Sequence, residues 1–312
     1  MKSILNWLRV LLFFPLLYFL FREVRFQQIQ VALQHVDWWL LLLAFFLYSL
    51  KYTLQGLRWY NAALAHGLHY PVLFFVKTQF EIAFLEMLLP IPDSEDALRI
   101  IKLRGQSVNV ANSVAVTLFD RVMGVLFILM LLPFTGWLMA AILFKHIKIS
   151  YIGIVIGFIP LFLFALNYRK IIAFMLALIE RFTELNHSFF ENLKLSMVQK
   201  IELRYRLYGL LGTITFGLAG AFCIWLLVHS LGAKVSFISL LLCIPFFQGL
   251  GLYESTLVFV LQQMGIGNEI AVVAGTLHFL FHVIIILAGG GVFMTNPLKT
   301  DISLPNFITK RL

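Results

Sequence analysis

Leu89-Pro90-Ile91-Pro92-Asp93-Ser94-Glu95-Asp96-Ala97-Leu98-Arg99 is the stretch on which the fold turns. Its prolines remove backbone donors and push the residues before them out of helical backbone, and the charged run behind them starts a new, polar helix. The run leading in from Tyr70 is apolar but carries Lys77, Glu81 and Glu86. In a water-soluble protein this would be an ordinary surface turn. The chain around it is of another kind: 61% of its 312 residues are hydrophobic and 12% are charged, against about 25% charged in an average soluble domain. So few charges cannot cover a soluble domain of this length, whereas lipid accepts apolar surface and penalises charge at depth. The stretch therefore reads as a helix broken within a bilayer. Such a break is tolerated only where protein or a wet cavity surrounds its free amides and carbonyls.

A second break follows the same logic. The apolar run from Ser236 to Met264 is interrupted at Pro245 and again at Gln248-Gly249-Leu250-Gly251-Leu252-Tyr253-Glu254, where Gly249 and Gly251 allow a tight bend. Regions 70–104 and 236–264 are thus expected to be re-entrant hairpins, hinged at Pro90 and Pro92 and at Pro245, Gly249 and Gly251. About six stretches are long and apolar enough for full spans: Ile4 to Phe21, Trp38 to Leu57, Asn109 to Leu132, Ile149 to Asn167, Tyr208 to Leu231 and Ile270 to Met294. Trp38, Trp39, Trp59 and Tyr60 stand at span ends, where amphipathic rings prefer the interface. Phe19, Leu20, Phe21 and Arg22 close the first run without the small residues of a cleavage site, so it is expected to be a retained span. The predicted architecture is one all-α integral membrane domain over residues 1–312.

Charge orients it. The formal net charge is +9, and the linker 168–206 concentrates Arg169, Lys170, Arg181, Lys194, Lys200, Arg204 and Arg206, which marks it as a cytoplasmic, amphipathic segment. Lys51, Arg58, Arg99, Lys102, Arg104, Lys299, Lys310 and Arg311 fall on the same side, with both termini inside. Arg22, Arg25, Lys145 and Lys148 fall on the other. The expected location is the cytoplasmic membrane of a prokaryote. With this topology the two hairpins enter from opposite faces, as in an inverted repeat around a central site. No residue-level repeat between the halves accompanies it. Nucleic acid is not an expected partner, because no basic recognition element interrupts the apolar runs. Cys223 and Cys243 lie in apolar segments and imply neither a disulfide framework nor a metal knuckle.

Asp120 and Arg121 lie about half way along a span, where ionisable groups are expensive and normally functional or paired. Arg99 follows Asp96 by three residues and Glu95 by four, so either acid can reach it on a helix. Arg99 and Arg121 are candidate ligands for a lipid phosphate, supported by the half-helix start near Asp93. The alternative is that Asp96, Asp120 and the two arginines neutralise one another as structural pairs. Glu254 is the corresponding charge of the second hairpin, either a counter-charge for a cationic head group, a proton carrier or a cap on the half-helix after it. Glu81 and Glu86 lead into the first hairpin, and Lys77 and Glu81 are spaced to pair. His278 and His282 share a helix face without the glutamate of a zinc protease helix, and hydrogen-bonded core histidines are expected there instead of a metal site. Gly289, Gly290 and Gly291 suit close helix packing.

Taken in order, Gly56-Leu57-Arg58-Trp59 before a Gly67 turn, Leu89-Pro90 with Asp96-Ala97-Leu98-Arg99, Asp120-Arg121-Val122-Met123-Gly124 and Gly249-Leu250-Gly251-Leu252-Tyr253-Glu254 resemble the membrane domain of lysylphosphatidylglycerol synthases, a flippase-like family. The resemblance runs through nearly the whole chain. It implies two opposed re-entrant helices and movement of a lipid between leaflets. The chain departs from the family pattern at Ile91 to Glu95, where the family has a glycine-rich stretch, and at Tyr253, where an arginine is common. The soluble aminoacyl-transfer domain has no counterpart after Met294, so the chain is not expected to make lysyl-lipid by itself.

The expected function is that of a lipid flippase or lipid transporter without catalytic residues, cofactor or metal. Its expected partners are membrane lipids, anionic or lipid-linked, with a second copy of the chain or a separate transferase as protein partners. The rivals are a scaffold for a lipid or glycan transferase, and an intramembrane enzyme using Glu81 or Glu86 with Asp96.

Overall fold

The computed structural model of the protein describes residues 36–88, 94–125, 187–198, 201–243 and 253–295. Among these residues every regular element is a helix. In chain order they are α1 Trp38–Ala65, α2 Val72–Leu88 and α3 Ser94–Arg104, α4 over 110–125, then α5 His187–Val198, α6 Leu203–Ser230, α7 Phe237–Cys243, α8 Tyr253–Gln263 and α9 Asn268–Thr295. Three of them, α1, α6 and α9, are long and apolar enough to cross a membrane, at 28 residues each. At 1.5 Å per residue such a helix reaches about 42 Å, more than the ~30 Å hydrocarbon core. The expected spans from Ile4 to Phe21 and from Ile149 to Asn167, the far end of the span begun at Asn109, and most of the 168–206 linker lie outside the described residues. So do Pro90, Pro92, Asp93, Pro245, Gly249 and Gly251.

The axis of the structure is an antiparallel pair, α1 with α6. At one end the Asp37 side chain caps α1 by accepting from the N–H groups of Trp39 and Leu40 at 3.0 and 3.2 Å, and the Asp37 N–H donates to the Ser230 carbonyl at 2.9 Å. At the other end Asn61 Nδ2 donates to the Tyr205 carbonyl at 2.8 Å. One apolar cluster joins α1, α6, α8 and α9 through Ala44, Leu227, Leu257, Leu261 and Ala274. A second joins α1, α2, α3 and α4 through Trp59, Phe75, Leu103, Val116 and Phe119. The amphipathic α5 lays Leu193 and Met197 on Ala111 and Ala115 of α4, with Glu191 and Lys194 left exposed.

α2 is gripped from two sides. A Cβ on Gly56 of α1 would lie 2.8 Å from the Val76 Cα, and one on Gly289 of α9 would lie 2.0 Å from the Phe80 carbonyl oxygen. Both contacts are made by backbone, so any side chain would force the helices apart. Gly290 rests on the Phe84 ring, whereas Gly291 faces open space. The helix-packing expectation for the glycine triplet thus has a physical basis at its first two positions.

Two expectations need correction. α1 does not stop at Leu57 but continues to Ala65, so Arg58 lies within a helix and is 9% exposed. Trp59 is not an interfacial ring: it is fully buried, edge-on to Phe75 at a centroid distance of 4.9 Å. Trp38 and Trp39, at the opposite end of α1, are exposed. Arg58 resembles the charge that ends a span, yet its counter-ion is supplied by another helix, so the span continues past it.

Gly289→Ala is expected to lower the thermal unfolding midpoint of the detergent-solubilised protein by several degrees, in line with the ~1–3 kcal/mol typical of overpacking. Gly291→Ala should leave it within error. Equal midpoints for the two variants would show that the α9–α2 contact does not constrain the fold.

Candidate functional site

Polar side chains from four helices meet where α1, α2, α3 and α4 converge. Their placement follows from helical spacing. On α4, whose first turn is capped by Asn109 Oδ1 accepting from the Ala111 N–H at 2.9 Å, the buried positions Ser113, Val116, Thr117 and Asp120 share one face. On α3, Glu95 and Arg99 lie one turn apart above the buried Leu98, Lys102 and Leu103. On α1, Gln55 and Arg58 do the same beside Trp59.

Asp120 is the centre. Its Oδ1 accepts from Arg58 Nε at 2.6 Å and its Oδ2 from Arg58 Nη2 at 2.8 Å, while Oδ2 also accepts from Arg99 Nη1 at 2.8 Å. Arg99 has no solvent exposure. Its Nη2 donates to Gln79 Oε1 at 3.0 Å and lies 2.5 Å from Glu95 Oε1, and the guanidinium sits 5.4 Å from the centroid of the Trp59 ring. Glu95 Oε1 further accepts from Gln55 Nε2 at 2.6 Å and Gln79 Nε2 at 3.0 Å. Arg121 bridges the outer acids: its Nε donates to both Asp96 oxygens at 2.9 and 2.8 Å, and its Nη2 to Glu95 Oε2 at 3.3 Å.

Three guanidinium groups, Arg58, Arg99 and Arg121, thus face three carboxylates, Asp120, Glu95 and Asp96, and the network is formally neutral. Buried charges persist in a low-dielectric interior only when paired and hydrogen-bonded in this way. Exposure rises steadily across it: the Asp120 side chain is at 0% and Arg99 at 1%, then Glu95 at 14%, Asp96 at 28% and Arg121 at 38%. The network therefore has a sealed end and an open end. Beside it, Lys102 of α3 forms a separate buried ion pair with Glu81 of α2. Glu86, at the far end of α2, lies near Glu95 in the first turn of α3.

The expected residues Arg99, Arg121, Asp96, Asp120, Glu81 and Glu86 all come to this region. Glu254 falls in the first turn of α8, with its side chain outside the described residues. One open pairing is resolved and one expected pairing is corrected. Arg99 takes Glu95 and not Asp96, because the rotation that buries Leu98 and Leu103 turns Asp96 toward α4 and Arg121. Glu81 takes Lys102 across the helix pair and not Lys77, which is exposed on its own helix.

Arg58, Lys102, Gln55 and Gln79 join the site without being expected there, since in the sequence Arg58 and Lys102 read as charges flanking the membrane. A signal for Gln55 and Arg58 exists: Lys51, Gln55 and Arg58 recur at i, i+4 and i+7, which is a polar line on one face of a mostly apolar helix.

Asp120→Ala leaves two buried guanidinium groups without their shared acceptor. We expect it to destabilise the protein by about 3–5 kcal/mol, measured by denaturant titration in mixed micelles. Glu202→Ala removes the water-exposed partner of Arg204 and should change stability by less than about 1 kcal/mol. Comparable stabilities for the two variants would refute the central role of Asp120.

The family described as lysylphosphatidylglycerol synthase TM region matches residues 6–290. No curated protein and no solved structure compared with the chain matches it. The matched length, together with helices long enough to cross a bilayer, makes this an integral membrane protein in a lipid-related setting. The chain belongs to the family of the lysylphosphatidylglycerol synthase transmembrane region.

Proposed function

We propose that the protein moves a phospholipid or lipid-linked head group between the two leaflets, using the open end of the charge network as its head-group site. The observation that carries this reading is the graded burial of one neutral network, sealed at Asp120 and Arg99 and open at Asp96 and Arg121. A head group taken into such a chamber keeps polar partners while its tails remain in lipid, which avoids the several-kcal/mol cost of bringing bare charge into hydrocarbon. The arginines divide the labour. Arg99 is committed to Asp120, Gln79 and Glu95, and serves as the post that fixes α3. Arg121, whose Nη1 has no hydrogen-bond partner among the described residues, is the group that takes the phosphate, with Asp96 as the acid it exchanges.

About six full spans with two opposed re-entrant hairpins, and termini in the cytoplasm of a prokaryotic cell, complete the proposal. The packing of α2 against α3 on either side of residues 89–93 supports the first hairpin. An intramembrane enzyme is the weaker reading. Of the acids it would use, Glu81 is tied to Lys102 and Asp96 to Arg121, which leaves Glu86 without a second acid.

The test uses proteoliposomes carrying head-group-labelled phosphatidylglycerol and a membrane-impermeant quencher. Arg121→Gln is expected to slow transfer about tenfold, the weight of one charge-assisted hydrogen bond, with a smaller drop in thermal midpoint than Arg99→Gln because its ion pairs are partly exposed. Arg99→Gln should instead reduce the yield of folded protein. Unchanged transfer in a folded Arg121→Gln variant would remove the head-group role.

A further inference from the structure

Glu86 stands apart from the ion pairs of the network. It lies in the last turn of α2, Val72–Leu88, half-buried. It forms no ion pair with any described residue, whereas Glu81, Glu95, Asp96 and Asp120 each have one. Its direction follows from helical spacing. Gln79, Ala83 and Glu86 recur at i, i+4 and i+7 and so share one face of α2, and on that face Gln79 bonds Arg99 and Glu95. Ile82, Phe84 and Leu85 face away from it, into an apolar cluster with Leu98, Ile286 and Phe293. Glu86 thus continues the Gln79 face toward the start of α3, where it lies near Glu95.

The cations around it are already engaged. From α3 and α4, Arg99 and Arg121 act on Glu86, but Arg99 is held by Asp120 and Glu95 and Arg121 by Asp96 and Glu95. From α1, Arg58 is held by Asp120, and Lys51 lies beside the Phe216 ring of α6. On α2 itself Lys77 is exposed, and Glu81 is held by Lys102 of α3. α9 places His278 and His282 beside Tyr48 of α1, and no ionisable residue follows them in that helix. Four carboxylates therefore meet three guanidinium groups when Glu86 is ionised, and the chamber holds one negative charge in excess. An anion entering it adds a second, which is costly away from water.

We infer that Glu86 is a proton site coupled to the head-group site: it takes up one proton as the chamber takes up a lipid phosphodiester. The proton adds to a Glu86 carboxylate oxygen from water at the open end, and the phosphodiester brings the one negative charge that Glu86 gives up. The charge held among the helices is then the same with and without lipid. Release reverses both steps. The inference rests on the head-group reading and gives that site a coupling ion.

The test is calorimetric titration of the full chain, purified in detergent, with dihexanoyl phosphatidylglycerol, from mildly acidic to mildly alkaline pH, where its phosphodiester stays ionised. Repeating each titration in two buffers of different ionisation enthalpy counts the protons taken up per lipid bound. The wild-type protein is expected to take up about one proton, and to bind up to about tenfold more tightly for each pH unit lowered through the titration of Glu86. Glu86→Gln should take up none and bind at every pH as the acidified wild-type protein does. Glu86→Asp keeps the carboxyl group, serves if the Gln variant folds poorly, and should retain the uptake. No proton uptake by the wild-type protein, or undiminished uptake in folded Glu86→Gln, overturns the coupling. The two proposals fail separately. Binding that Arg121→Gln weakens, without any proton uptake, sinks the coupling alone, whereas wild-type affinity and transfer in Arg121→Gln removes the head-group site.

Discussion

Asp120 holds two guanidinium groups at once, Arg58 from α1 and Arg99 from α3, with its own carboxylate shut away from solvent. A single buried carboxylate would be costly, and two cations overcompensate it, so the arrangement is stable only because Glu95, Asp96 and Arg121 bring the sum back to zero. Neutrality is therefore a joint property of α1, α3 and α4, and none of them can be placed without the others. α2 enters with an amide: Gln79 accepts from Arg99 and donates to Glu95. A neutral group with both a donor and an acceptor is what that position permits, since a carboxylate there would leave the network one charge short of balance.

The three long spans α1, α6 and α9 and the pairing of Asp120 with an arginine could be read from the sequence, because each follows from local composition and helical spacing. Arg58 could not be placed in this way. A cation near the end of an apolar run looks like an interfacial charge until its partner is known, and that partner is 62 residues away on another helix. Lys102 was hidden for the same reason, since Glu81 reaches it from the facing helix. The choice between Glu95 and Asp96 as the partner of Arg99 depends on how α3 is rotated, which is decided by the burial of Leu98 and Leu103 and not by spacing alone. Trp59 shows the limit from the apolar side. Its ring was assigned to the interface by its neighbours in sequence, yet it forms the floor beneath Arg99.

The gradient of exposure separates roles that a family resemblance alone leaves merged. Arg99 and Arg121 are the same residue type on adjacent helices, but one is surrounded by fixed acceptors and the other opens outward. The sealed end gives mechanical definition, and on the proposed reading the open end leaves an arginine that exchanges Asp96 for a head-group phosphate. Membrane proteins that handle charged head groups face this division generally, because the groups that bind must also let go.

Gly56 and Gly289 meet α2 at Val76 and Phe80, about one turn apart. Where main chain lies on main chain there is no rotamer to absorb an error, so this turn acts as a surveyor's benchmark for the helix. Gln79 lies within the benchmarked turn and Glu81 just beyond it, and their heights are set by glycines that carry no charge and touch no lipid head group. Evolution can therefore retune the electrostatics of the chamber by exchanging side chains, while its vertical scale stays pinned by two residues with no side chain at all.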